Sequence, residues 1–529
     1  MDYGLAIEGA LSQGNIPEAA RLAEAALGAG LNDPLFCNLA AWKYETNGDF
    51  AGAEAMLQRA LNHAPDDPFT RIGLGSLRRR QGRIDEAIAL LDAAVAALPD
   101  NPGVKLERAY AFEDAGLLER AAEDYRKAVD LDPQAAPAHA GLASVLSRLG
   151  RVERAGEEAE IALGLDPANV TALCALARCD LEAGRPEAAI LVLSALSDKT
   201  DISETHRIIA FGLLGDAHDR IGQVELAFAN YSRAKALFAG TDRRGKNSLS
   251  QRTFIENISH EIEASRSDDW LPGNPPRGGG NHAFLIGYPR SGTTLLESIL
   301  AAAPGVETAE ERPTLHAADQ AFLAPSLRLE DLKRLDAVSM ESFQTAYWDS
   351  VRRLGIDVGG KLFVDMDPLK GIKLPLIAKL FPTARIVMMR RDPRDVVWSC
   401  FHTNFAPSAA AYEFTSLENA ARHYDALMTL MERCFDKMSL KRIEVRYEDL
   451  VRDFDDVTRQ LCAFLELEWT EELRKFSRVA ATRNITTASA SQVRKGLYDG
   501  SGQWKPYEAR LAPILPILEP WIRKFGYSG

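Results

Sequence analysis

Apolar positions recur at helical spacing through the first two hundred residues, and the whole pattern repeats every 34 residues. Glycines mark the register at Gly14, Gly48, Gly82, Gly116, Gly150 and Gly184. Alanines follow in step at Ala19, Ala53, Ala87, Ala121, Ala155 and Ala189, with a second set at Ala26, Ala60, Ala94, Ala128 and Ala162. Prolines close the units at Pro65, Pro99, Pro133 and Pro167. The period predicts two helices per unit: glycine ends the first, alanine lets the two approach closely, and proline stops the second. Gly222, Ala227 and Ala234 look like a seventh unit, displaced by four residues. Beyond a polar stretch from Thr241, residues 248–265 predict one more amphipathic helix capping the array, and 271–280 is a Pro/Gly linker. From 282 onward short apolar runs alternate with helical stretches. Strands are expected at 283–287, 362–366, 384–390 and 442–446, which predicts an α/β domain with a parallel sheet.

The 34-residue signature resembles that of tetratricopeptide (TPR) repeats. It implies an N-terminal α-solenoid over 1–240, a capping helix and linker over 241–280, and the α/β domain over 281–529. A solenoid groove is suited to a peptide or protein partner; a structural or dimerising platform is the alternative, which leaves a homodimer open. The charge supports a choice of partner. The chain of 529 residues has a net charge of −13, yet residues 281–529 hold 33 basic and 33 acidic side chains, so the excess lies in the first 280. That argues against nucleic-acid binding and favours a basic or neutral partner. Six scattered cysteines without a CxxC pair suggest buried free thiols in a reducing compartment. No run of ~18 apolar residues predicts a membrane span. The first residues lack a basic, then apolar, leader pattern, and a cytoplasmic location is expected.

The candidate chemistry centres on Phe284–Leu300, an apolar strand followed by a small-residue loop and a helical pattern. Gly287-x-x-x-x-Gly292-Thr293-Thr294 has the glycine spacing of a phosphate-binding loop, with Thr293 where a nucleotidase places its lysine. ATP or GTP hydrolysis is therefore disfavoured, and Arg290 offers a cation within the loop. An ordinary turn capped by threonines is the alternative. A second anchor lies in Ala384–Cys400. There a strand ends at Arg390 and Arg391, Asp392 can cap a helix, and Pro393 fits its first position. Arg391 and Ser399 can face one phosphate, a guanidinium fork plus a hydroxyl; a purely structural helix start is the alternative.

Together the two anchors resemble the 5′- and 3′-phosphate sites of sulfotransferases that use 3′-phosphoadenosine 5′-phosphosulfate (PAPS). Leu376–Asp395 looks most like TPR-containing bacterial sulfotransferases, whose catalytic half is similar to tyrosylprotein sulfotransferases. The resemblance implies a P-loop-like α/β sulfotransferase domain with a central parallel sheet. Pro289, Arg290, Ser291, Gly292, Thr293 and Thr294 would hold the 5′-phosphosulfate, and Arg391 and Ser399 the 3′-phosphate. Tyr447 matches a family tyrosine near the nucleotide, Ser489 a further donor-contacting serine, and Arg494 and Lys495 would close over it. Glu311 matches the family base, with Glu310 close behind. One departure stands out: the family lysine in Asp-Lys-Met-Pro or Asn-Lys-Asp-Pro is replaced in Asp365-Met366-Asp367-Pro368. Loss of a transition-state cation costs on the order of 10²–10³ in rate. Lys370 or Lys373 would have to reach over from the next helix, or Arg290 would serve alone.

The resemblance thus implies sulfuryl transfer from PAPS to an acceptor hydroxyl with release of 3′,5′-ADP and no metal. A peptide or protein tyrosine, docked through the TPR groove, is the favoured acceptor, with a saccharide or small molecule the alternative. Trp398, Phe401, Phe405, Trp504 and Tyr507 are candidates for an aromatic acceptor wall or for core packing. His316, His402 and His423 read as isolated polar or packing residues, with His402 also a candidate for the acceptor site. Two other classes remain in view: a TPR adaptor that binds nucleotide without turnover, supported by Met366, and a kinase on a modified loop, opposed by Thr293.

Overall fold

The six in-phase glycines all take left-handed backbone, with φ between 69° and 78°. Each ends the first helix of its unit, as in the pair Pro34–Thr46 and Phe50–His63, where Asp49 N donates to Tyr44 O across Gly48. Aspartate or asparagine caps several first helices, with proline at their opening position: Asp33 before Pro34, Asp67 before Pro68, Asn101 before Pro102. Ala19, Ala53, Ala87, Ala121 and Ala155 are fully buried where helices meet. The computed structural model describes residues 2–197, 202–242, 248–270, 281–324, 326–483, 485, 487 and 489–527. Its contacts divide the chain into two compact units, Met1–Ala188 and Ala189–Gly529.

The second unit begins before the segment expected to separate the domains. It includes the helix pair Glu204–Arg220 and Val224–Gly240, joined at Gly222 with the φ of 72° that the repeats share. The helix Gln251–Ala264 exists as expected, within the second unit. Ile255, Ile258 and Ile262 are fully buried in one core with Leu427, Leu430 and Cys434 of the long helix Leu417–Lys437, because that stripe faces the α/β domain.

Five parallel strands form the sheet: β1 (His282–Ile286), β2 (Val306–Glu310), β3 (Leu362–Met366), β4 (Arg385–Arg390) and β5 (Lys441–Arg446), in the order β2-β3-β1-β4-β5. Side chains alternate between two apolar layers. Phe284, Ile286, Phe363, Ile386 and Met388 join one, and Ala283, Leu285, Val364, Met366, Val387 and Met389 the other. The chain leaves β1 toward β3 and β2, then returns past it to β4. The loops after β1 and β4 therefore lie side by side at the carboxyl edge, where parallel sheets open a ligand crevice. Strand β2 was absent from the sequence expectation. All six cysteines are buried and free, and among the described residues no helix is long and apolar enough to cross a membrane.

Candidate functional site

The loop after β1 is shaped by close approach. A Cβ on Gly287 would stand 2.8 Å from the Met389 carbonyl oxygen, and one on Gly292 would stand 2.8 Å from the Tyr447 ring. Gly292 also sits at φ 103°, which favours glycine. Within the loop Tyr288 N donates to Ser291 Oγ at 3.3 Å and Ser291 N to Tyr288 O at 3.0 Å. The helix Thr293–Ala301 starts without a side-chain cap, which leaves its first amides without a side-chain acceptor. Arg290 takes a left-handed φ of 70°, one of three non-glycine residues to do so among those described. Such strain persists where surroundings impose it and clusters at functional sites.

The second anchor meets the first. In the helix Pro393–His402, capped by Asp392, Ser399 is buried and its Oγ accepts from Arg290 Nε at 2.9 Å. Arg391 Nη1 donates to the carbonyl of Arg290 at 3.0 Å. Burial, then the charge of Arg391, brings Arg290 down to about 10. Arg391 also lies 4.9 Å over the Tyr447 ring, while its Nε is buried with no acceptor among the described residues. A buried guanidinium N–H without an acceptor fits a site that receives an anion.

A segment from the C-terminal part covers these groups. Arg290 donates to Ser489 Oγ at 2.5 Å and Gln492 Oε1 at 3.3 Å, and Thr294 and Thr487 hydroxyls are 3.1 Å apart. Arg391 Nη2 donates to Gly500 O at 2.5 Å, and Gly500 N to Tyr447 Oη at 3.1 Å. Asp395 holds the same segment, accepting from Gly502 N at 2.7 Å and Trp504 N at 3.0 Å. Of the expected closing pair, Arg494 directs Nε to Ala480 O at 3.4 Å and Lys495 is exposed at the end of the short helix Ala490–Arg494.

The carboxylates stand at the end of β2. Glu310 is buried, and Glu311 turns out at φ 48° with its N–H bound to Met366 O at 2.7 Å. Glu311 is solvent-accessible, yet enough protein surrounds it to desolvate its charge, the combination that a concave surface gives. Burial first, then the charges of Asp367 and Glu310, pushes its carboxyl up to about 7, with Lys370 opposing. Met366 is fully buried in the apolar layer. Lys370 is buried too: its ammonium pairs with Asp365 and lies 3.4 Å from Thr314 Oγ1, while Asp365 also accepts from Thr314 at 2.7 Å and Tyr347 at 2.9 Å. Lys373 turns to Asp319 at 3.2 Å. Both lysines thus have acidic partners inside the domain.

Of the two readings of the aromatic residues, core packing describes four, and Phe405 is half-buried. Trp398, Phe401, Trp504 and Tyr507 are buried, Trp398 stacks on Tyr507 at 3.7 Å, and Phe228 and Tyr231 complete the packing. His423 is buried and bridges Tyr288 Oη at 2.6 Å to Gln251 Oε1 at 2.9 Å. His402 is half-buried beside Trp398 and Tyr231, and burial, then Arg290, Lys235 and Arg391, brings it down to about 3. Gln492, Gly500 and Asp395 were missed. The first lies two residues from Arg494 in the motif already singled out, but the carbonyl of Gly500 has no residue-type signal. Among the described residues no three His, Cys, Asp or Glu side chains converge as a metal-binding group.

Comparison with known proteins gives a family for each part of the chain. Residues 283–471 match the model of the sulfotransferase family, and 6–69, 72–136 and 140–201 match tetratricopeptide repeat models. An uncharacterized protein of Aquifex aeolicus is 27% identical over 351 residues, 63% of this chain and 44% of that protein. Protein-tyrosine sulfotransferase 1 of Danio rerio is 28% identical over 195 residues, 36% of this chain and 54% of the relative. Protein-tyrosine sulfotransferase A of Caenorhabditis elegans is 22% identical over 279 residues, 51% and 72%. The chain thus spans about half the length of the first two curated relatives it matches. The structure of a thermophilic TPR protein of Thermus thermophilus covers 34% of this chain and 98% of its own at 21% identity, with a TM-score of 0.30.

Proposed function

We propose, for a chain that carries a sulfotransferase-family domain behind tetratricopeptide repeats, that it transfers a sulfuryl group from PAPS to an acceptor hydroxyl, a peptide or protein tyrosine. The observation that carries this reading is the meeting of the two anchors: Arg290 of one loop donates to Ser399 of the other, and Arg391 to the backbone of Arg290. One ligand with anionic groups at two positions suits such a pair. The residues fit it, since the buried Nε of Arg391 lacks an acceptor among the described residues and the helix Thr293–Ala301 is uncapped. When bound, PAPS supplies the sulfuryl group, and 3′,5′-ADP is left.

The chain's own residues divide the remaining work. Loop amides from Ser291 to Thr294 and the Arg290 guanidinium would hold the sulfated end, and Arg391, Ser399 and Tyr447 the other phosphate. Ser489 orients Arg290. Glu311 would take the proton of the acceptor hydroxyl, and a carboxylate near 7 is matched to that task at neutral pH. The curated relatives named as protein-tyrosine sulfotransferases support a tyrosine acceptor. The repeats would dock the acceptor protein in their groove.

The test is retention on immobilised 3′,5′-ADP without magnesium, followed by transfer of labelled sulfate from PAPS to a peptide library. Arg290→Ala and Arg391→Ala are each expected to weaken retention about 10- to 100-fold, the loss of charge-assisted hydrogen bonds. Unchanged affinity in both would refute the donor assignment. The burial of Met366 and the internal pairing of Lys370 favour one second reading, a nucleotide-binding adaptor without turnover. Retention without label transfer would select it.

A further inference from the structure

The helix pair Glu204–Arg220 and Val224–Gly240 packs directly on the second anchor. Phe228 and Tyr231 meet Trp398, Tyr507 Oη donates to Asp219, and Arg510 pairs with Glu225. A Cβ on Gly212 would collide with the Asn404 amide, so this glycine admits the turn after the helix Pro393–His402. At the centre of the contact is a group that plain packing would not select. Lys235 is only 3% exposed, flanked by the rings of Phe238 and Phe405 at 6.0 and 5.9 Å, and its ammonium donates to the carbonyl of Thr403 at 2.6 Å. Burying an ammonium with one acceptor among the described residues is unfavourable, and a methionine would fill the same space.

What the lysine contacts explains its retention. Thr403 ends the helix Pro393–His402, where a cation offsets the exposed carbonyl dipoles. Thr403 N donates back to Ser399 O at 3.2 Å, and Ser399 Oγ accepts from Arg290. One residue on, Cys400 Sγ lies 3.4 Å from Pro289 O of the loop after β1. The last turn is thus held at one end by the anion loop and at the other by Lys235. We propose that Lys235 is a positioning residue of the donor site: its ammonium fixes the last turn of the helix Pro393–His402 and so keeps Ser399 against Arg290. This rests on the donor reading above, and it makes the repeat-like helix pair part of the machinery that grips the donor.

Charge gives the test a readout that packing alone would not move. Burial brings Lys235 down to about 8, with Cys400 opposing. Cys400 acts on Lys235, and Lys235 in turn acts on His402, both on the anchored helix, while Arg290 and Arg391 bring positive charge to those same two groups. Above about pH 8 the ammonium loses its proton, so affinity should fall as pH rises from 7 to 9. The experiment measures dissociation constants for 3′,5′-ADP in the full chain at each pH, with thermal melts alongside. Wild type should weaken several-fold across that range. Lys235→Arg should bind nearly as wild type at pH 7 and stay flat, and Lys235→Met should be about tenfold weaker at pH 7 and flat. Wild-type affinity in Lys235→Met overturns the proposal, as does a pH-independent wild type, or an equal loss of affinity and melting temperature in both variants. If Lys235→Met does not fold, the wild-type and Lys235→Arg profiles decide. If wild type fails to bind 3′,5′-ADP at any pH, the donor reading itself falls and takes this inference with it.

Discussion

Arg290 and Glu311 share an unusual property: both are titratable, and both hold left-handed backbone that side chains other than glycine avoid. For Glu311 the backbone turn places a carboxylate beside Asp367 and Glu310, and its proton affinity follows. Turnover should therefore rise with pH through about 7 and level off above it, and Glu311→Gln should abolish that limb along with transfer while holding 3′,5′-ADP within about threefold. The same shift affects stability. A carboxyl whose folded value lies above its unfolded one, about 4.3, binds its proton more tightly in the native state. Its stabilising effect is complete below about 4.3 and lost as pH rises through about 7. Glu311→Gln should melt higher than wild type at pH 8, with the gap closing toward pH 4. A gap that is constant with pH would remove the shift and with it the argument for a tuned base.

Elements were legible where their pattern had only one explanation. Strands β1 and β4 are unbroken apolar runs, and a strand buried on both faces reads that way. Strand β2 was hidden because Val306-Glu307-Thr308-Ala309-Glu310 carries two carboxylates and no apolar run, and Glu307 pairs with Lys361 at 2.6 Å. The helix Gln251–Ala264 was legible as a helix, but an apolar stripe says that a face is buried, not against what. The same limit applies to β3. The sequence has Met366 where the resemblance implies a lysine, and the structure adds that this side chain belongs to the apolar layer with Leu285 and Val387. Met366→Lys should therefore cost about 1–3 kcal/mol in the free protein, a drop of a few degrees in Tm. If the new amine reaches the anion crevice, saturating 3′,5′-ADP should recover more of that loss than it adds to wild type, and label transfer should rise. A variant destabilised equally with and without ligand would show that the position no longer opens to the site.

At the scale of the whole chain the repeats and the sheet obey different logics. In the unit Met1–Ala188 each helix pair buries its alanines against its neighbours alone, so local changes stay local. In Ala189–Gly529 a single sheet edge gathers loops from positions far apart in sequence, and the pair 204–240 is built into that edge through Lys235, Trp398 and Tyr507. Ligand bound to the crevice should therefore stabilise by mass action, about 2.7 kcal/mol at a hundredfold excess over Kd, only the unit that holds it. Hydrogen exchange can read this. With saturating 3′,5′-ADP, protection should increase in 287–301, 391–403 and 489–504, extend into 224–240, and leave the helices of 34–63 and 68–97 unchanged. Protection that stops at residue 281 would separate the last helix pair from the donor site, and protection that runs through the first repeats would mean that binding is felt across the array, a coupling the contacts within the second unit do not by themselves provide.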